Sequence, residues 1–149
     1  GCPQHRFMFL TKCPWNLAKL NPWPGNAWVG MSATNMSQMG NIPLLADVAA
    51  KVRFVSFEPL LDYTAPDLRK GWVHWVIVGA ATGSKAEIMA LARTHPDLMP
   101  MPCGKRWSLQ PPVEWVQEIE ATCDEVGIKL WLKDNMRPLL GDKLRQERP

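Results

Sequence analysis

Apolar positions in this chain fall into five short runs, and each run stops at a polar pair or a glycine. Phe7 to Leu10 leads into Thr11-Lys12, Trp28 to Met31 into Ser32, and Val52 to Val55 into Ser56-Phe57-Glu58. Trp75 to Val78 leads into Gly79, and Ile128 to Leu132 into Lys133-Asp134. Strands of a parallel sheet are covered on both faces and therefore read as nearly continuous apolar runs, so the pattern predicts five parallel strands. The fold class expected is α/β: a partial (β/α) TIM-type barrel of about five parallel strands, with an open, doubly wound parallel sheet as the alternative. In both architectures ligands gather beyond the carboxyl ends of the strands, which makes the polar ends of the runs the expected working edge.

The intervening segments support alternation of strand and helix. Pro14 followed by Trp15 to Leu20 suits a short helix, because proline lacks an amide hydrogen that the first turn would leave unpaired. Asn21-Pro22-Trp23-Pro24-Gly25-Asn26 reads as a loop, Ala33 to Asn41 as a polar loop, and Ile42 to Ala50 as helical. Asp62 to Lys70 has room for a turn of helix. Ser84 to Arg93 favours helix, with Ser84 and Glu87 spaced as a capping box. A further helix starts at Pro111-Pro112, carries Val116, Ile119, Cys123 and Val126 on one face, and ends at Gly127. That face places Cys123 in the core. The stretch 94–110 is long for a connection inside a compact domain and reads as a lid, a partner-binding element or a disordered insertion. The tail 141–149 is polar and is expected to fray.

Composition narrows the class without naming a chemistry. A chain of 149 residues with 46% hydrophobic and 21% charged residues suits one domain, 1–149, with a core of its own. No run reaches the roughly 18 apolar residues of a membrane span and no secretory signal is visible, so a cytoplasmic protein without membrane contact is expected. The net charge of +3 is not gathered into a basic run; nucleic-acid binding is permitted but not indicated. Cys2, Cys13, Cys103 and Cys123 include no Cys-x-x-Cys pair, so no metal site is expected and the cysteines read as free thiols.

The candidate chemistry sits on the polar strand ends. Glu58 follows a buried strand and precedes Pro59; a carboxylate held there could accept hydrogen bonds from a ligand amine or hydroxyl, act as a base, or pair with Lys12 or Lys133. The turn Gly79-Ala80-Ala81-Thr82-Gly83-Ser84 joins a strand to a helix and could receive an anion on its amides, although glycine also serves such turns for geometry alone. His74 stands at the wrong end of its strand and reads as structural. Trp107, beside Lys105 and Arg106, is the tryptophan with the best claim to a ligand; the others read as packing residues.

A family resemblance rests on these same runs. Leu10-Thr11-Lys12, Gly30-Met31-Ser32 with Thr34-Asn35, Ile42 to Leu45, Val52 to Leu61, Trp75 to Gly79, Glu114-Trp115-Val116 and Lys129 to Asp134 together resemble the phage "Gp thirty-seven/sixty-eight" family of uncharacterised proteins, from about Arg6 to Asn135. The Ser56 to Leu61 stretch is the most specific segment. The resemblance implies the later strands of a radical-S-adenosylmethionine-like barrel, and for complete members S-adenosylmethionine and an iron-sulfur cluster held by an N-terminal cysteine segment. Cys2 and Cys13 do not replace that segment, so the chain is expected to be a clipped or truncated product, a natural half-barrel, or one partner of a split assembly. It departs from the family pattern at Ala80-Ala81-Thr82-Gly83 and in the insertion 84–110. Carried over by resemblance and by position at the strand ends, the expected catalytic residues are Glu58, Lys12 and Lys133. The expected ligand-binding residues are Thr11, Ser32, Asn35, Ser56, Gly79, Thr82 and Gly83.

Two functions follow as expectations. One is enzymatic: a radical-type domain supplying ligand contacts at its strand ends. The other is a non-catalytic binding or accessory module for protein or nucleic acid, acting through Lys105-Arg106-Trp107. An open strand edge invites pairing, so either a homodimer or a missing barrel half is the expected partner.

Overall fold

The structure is a computed structural model that describes residues 2–69, 71–142 and 144–149. Its main sheet contains five parallel strands: β1 (Phe7–Thr11), β2 (Ala27–Ser32), β3 (Val52–Phe57), β4 (Trp75–Val78) and, later in the chain, Lys129–Leu132. They lie side by side in sequence order, without the reversal that a doubly wound sheet requires. The expected α/β class with five parallel strands is found, and among the described residues the sheet is open, with no barrel closure.

The crossovers are short. Pro14–Leu20 and Ile42–Asp47 form 3-10 turns, each opened by a proline near its start. Helix α1 (Met36–Met39) lies within the expected polar loop, its first turn capped by the Asn35 side chain accepting from the Gln38 amide at 3.0 Å. Residues 62–69 form no helix, in contrast to the turn expected there; Lys70 lies outside the described residues.

A second, antiparallel sheet is formed by β5 (Ala81–Gly83), β6 (Met99–Cys103) and β7 (Arg106–Gln110), in the order β5-β7-β6. Helix α2 (Lys85–Ala92) lies between β5 and β6 in the chain and carries the expected capping box, with Ser84 N donating to Glu87 at 2.7 Å. The stretch 94–110 is thus mostly a β-hairpin, turning at Gly104 with φ 58°. Its prolines at 100 and 102 mask the strand pattern in the sequence, yet they fit an edge strand whose outward positions need no amide hydrogen. Helix α3 (Val113–Val126) buries Val116, Ile119 and Cys123 and ends at Gly127 in the left-handed region, φ 70°. The fifth main-sheet strand is therefore β8 (Lys129–Leu132), followed by a 3-10 turn and α4 (Arg137–Leu140). Within the tail, Leu132 N donates to Arg145 O and Glu147 N to Leu130 O, both at 2.8 Å, so residues 145–147 cover the outer edge of β8.

The main sheet has two unlike faces. Val29, Met31, Val55, Val76, Leu130 and their neighbours pack under α3 and the 3-10 turns in the principal core. The alternate residues, Trp28, Val52, Phe54 and Trp75 with Ile77 and Trp131, make a second cluster built wholly from strand residues. Gly30 belongs to this second face. A Cβ there would stand 2.6 Å from the Phe54 ring, so the glycine is what lets that ring lie flat across the neighbouring strand.

Candidate functional site

On the second face the residues that follow β3, β4 and β8 converge. Parallel register aligns Ser56 with Ile77 and Ile77 with Trp131, so one further step along each strand brings Glu58, Gly79 and Lys133 together. Lys133 Nζ donates to Glu58 Oε1, and the two side chains are 41% and 30% exposed. The pair is therefore reachable from solvent, and its charges are only partly desolvated. Gly79 lies beneath it. A Cβ at that position would be 3.1 Å from Lys133 Cδ and 3.2 Å from Glu58 Oε1, so the pair rests on bare backbone.

The chain leaving β4 is fixed by Asn135, whose Nδ2 donates to Ala80 O at 2.8 Å while its Oδ1 accepts from Ala80 N at 3.2 Å. Gln110 in turn donates through Nε2 to Asn135 O and to Ser108 Oγ, both at 2.7 Å. The two sheets are thereby tied together just behind the ion pair. Gln110 is fully buried, and its Oε1 has no partner among the described residues.

Ser56, Glu58 and Lys133 form the polar rim of a cavity of about 320 Å³. Its floor is apolar and aromatic: Phe54, Trp75, Ile77 and Trp131, with Met8 and Leu10 on the β1 side. The Trp75 ring meets Trp28 and Trp131 edge-on, at centroid distances of 5.5 and 6.2 Å, which fixes the floor in one arrangement. A small apolar cavity with a few convergent polar groups is the usual form of a small-molecule site. A larger hollow of about 680 Å³ lies at the opposite strand ends, among His5, Arg6, Asn26, Trp28 and Lys51; it is a wide, polar-walled surface basin.

The remaining expected residues are dispersed. Thr11 Oγ1 accepts from Cys13 N at 3.0 Å, and Lys12 is exposed and makes no ion pair among the described residues. Thr11 lines a groove on the other face of the sheet. Ser32 is buried at the end of β2, and Asn35 is occupied in capping α1. Thr82 and Gly83 are strand residues of β5. The amide end of α2 that follows them is already served by the Glu87 carboxylate, which lies against Gly83. His74 is structural, its Nδ1 accepting from Arg53 N at 3.0 Å. Trp107 lies within β7 with Lys85 Nζ 4.8 Å over its ring, so one face of it is taken. The cavity floor was not among the expected residues. Counting back two and four positions from Glu58, and two from Lys133, finds Ser56, Phe54 and Trp131, because alternate strand residues share a face.

A family model described as "Protein of unknown function (DUF5131)" matches residues 1–95, the region that holds β1 to β5, α2, Ser56, Glu58 and Gly79. The chain belongs to this family. No curated protein and no solved structure matches it. In this DUF5131 chain the ion pair bridges the matched region and the part beyond it, since Lys133 and Asn135 lie outside residues 1–95.

Proposed function

We propose that the chain is the C-terminal part of a radical-S-adenosylmethionine-like barrel and grips a small zwitterionic ligand at the carboxyl ends of its strands. The observation that carries this reading is the Glu58–Lys133 pair set over an aromatic floor and resting on Gly79. The pair offers a carboxylate for a ligand ammonium and an ammonium for a ligand carboxylate, and separating it to admit both would cost little because the partners are half in water. The apolar body of the ligand would lie across Trp75 and Trp131, and Ser56 would donate to a polar atom along it. The sequential parallel strand order and the resemblance to the phage family support the barrel.

The donor set does not fit an iron-sulfur cluster: among the described residues no three metal-ligating side chains come together, and Cys123 is buried in the principal core. No step is therefore assigned to a cluster on this chain. S-adenosylmethionine would meet the amine, carboxylate and aromatic groups of this site, and in the class it supplies a carbon radical only after accepting one electron from a reduced iron-sulfur cluster, which this chain's residues would not hold. Glu58 and Lys133 would orient its amino-acid end, Trp75 and Trp131 would exclude water from its apolar side, and Lys12 would approach from the β1 strand end.

The test is a titration of the chain with S-adenosylmethionine followed by tryptophan fluorescence. The expected result is saturable quenching that weakens at least about tenfold, ~1.4 kcal/mol, in Glu58→Gln with an unchanged melting temperature. Equal affinity in the variant would show that Glu58 is structural.

A further inference from the structure

Three polar residues outside the ion pair share one level of the main sheet. The ladders pair Thr11 with Met31 and Ser32 with Ser56, so Lys12, one step past β1, stands level with both serines. Alternation along the strands assigns all three to the cavity face, in line with Leu10, Gly30 and Phe54 one level below. Adjacent strands stand about 4.8 Å apart, so the row spans about 10 Å. It lies beside the Glu58–Lys133 pair: the pair joins the ends of β3 and β8, whereas the row runs from β3 to β1.

The row is unpartnered and within reach. Ser32 and Ser56 are 7% and 2% exposed, and neither hydroxyl has a hydrogen-bond partner among the described residues. The side-chain polar atoms there that are both sealed from solvent and unpartnered are Arg53 Nε and Gln110 Oε1, so the two serine oxygens are not sealed. Ser56 borders the cavity directly. Lys12 is exposed and forms no ion pair among the described residues. Nearly buried hydroxyls without a partner are unfavourable until something bonds to them.

Charge and geometry select the occupant. β1, β2 and β3 carry no carboxylate, and Glu58 just beyond β3 is engaged by Lys133, so the row lacks a negatively charged acceptor. A carboxylate offers two coplanar oxygens, best met by the fork of an arginine, and the row has none. One ammonium and two hydroxyls on three successive strands suit the three terminal oxygens of a phosphate monoester, with the long Lys12 side chain reaching back over Ser32. We propose that Lys12, Ser32 and Ser56 hold the phosphate of a small phosphate monoester, a second ligand lying beside the one gripped by Glu58 and Lys133. S-adenosylmethionine carries no phosphate, so the row is left for the molecule that would react beside it. The inference rests on the radical-type reading for that role and names the class of its co-substrate. Strands preceding β1 in such a barrel would stand beyond Lys12 and keep the row inside.

The test is a nitrogen-proton NMR titration of the labelled chain with inorganic phosphate, repeated with acetate and with sodium chloride at matched ionic strength. Expected are saturable shifts of the Ser32 and Ser56 amides with phosphate, binding at least about tenfold weaker with acetate, and no such shifts with chloride. Lys12→Gln should weaken phosphate at least about tenfold with an unchanged melting temperature, and Ser32→Ala/Ser56→Ala should do the same. If the serine double variant unfolds, the exposed Lys12 decides the matter. Glu58→Gln should bind phosphate at least as tightly as the parent while losing affinity for S-adenosylmethionine, so failure of the ion-pair site and failure of this row are read separately. Chloride reproducing the shifts, acetate matching phosphate, no saturable phosphate binding, or full phosphate affinity in Lys12→Gln would overturn the proposal.

Discussion

Gly79 and Gly30 show how two glycines on one sheet face serve different ends. A methyl at Gly79 would press on the flexible stems of Lys133 and Glu58, which can shift. Gly79→Ala should therefore cost about 1 kcal/mol or less in stability while weakening ligand binding, as thermal melts and the fluorescence titration would show. A methyl at Gly30 would stand 2.5 Å from the Phe54 carbonyl oxygen, which is backbone and cannot yield. Gly30→Ala should cost about 1–3 kcal/mol in urea unfolding and disturb the cavity floor with it. His74 gives the fold a pH dependence. Burial, and then the nearby Arg53 charge, hold its imidazole below the ordinary value of 6.5. The neutral ring is what accepts from Arg53 N, so its contribution is complete above 6.5 and is lost as pH falls through the lowered folded value. The urea midpoint should be level between about pH 7 and 8 and decline toward about pH 5, with a flatter slope in His74→Asn. An unchanged slope in that variant would assign the acid sensitivity elsewhere. Burial pushes the Cys123 thiol up to about 12, so it should resist thiol reagents until the protein unfolds, while the exposed Cys2 and Cys13 react at once.

At the scale of elements, the parts legible in the sequence were those set by local chemistry or by burial on both faces. The runs that became β2, β3 and β4 are covered by neighbouring strands on both sides, whereas the β1 run pairs on one side only and is read from its continuous apolar sequence. The Ser84–Glu87 box and Gly127 mark helix ends by hydrogen bonding and by a left-handed backbone, which need no tertiary context. Ser84→Ala should accordingly cost about 1 kcal/mol in thermal stability. The hairpin was not legible because Pro100 and Pro102 argue against a strand unless the strand is known to be an edge. The tail was not legible either, since its pairing with β8 depends on backbone groups rather than on apolar side chains. Of the site, Glu58, Lys133, Gly79 and Ser56 could be found at the strand ends, whereas Asn135 and Gln110 act through contacts far apart in sequence, to Ala80 and across to the second sheet.

For the molecule as a whole, the unequal faces of the main sheet organise everything else. One face is closed by α3 and the 3-10 turns, and the other carries the tryptophan cluster and an ion pair beside a cavity bordered on the β1 side by Met8 and Leu10. The cluster residues Trp28, Phe54 and Trp75 are buried against one another, and the Glu58–Lys133 pair stands at the carboxyl-end rim of the cavity. The central claim is that a zwitterionic small molecule binds between the Glu58–Lys133 pair and the Trp75–Trp131 floor. The most direct test is a two-dimensional nitrogen-proton NMR titration of the labelled chain with S-adenosylmethionine, following the indole and backbone signals. The account predicts dose-dependent shifts at the Trp75 and Trp131 indoles and at the Gly79 amide, with the Trp107 indole in the hairpin unmoved. Shifts confined to Trp107 and its basic neighbours, or none at Gly79 and the two floor tryptophans, would contradict it.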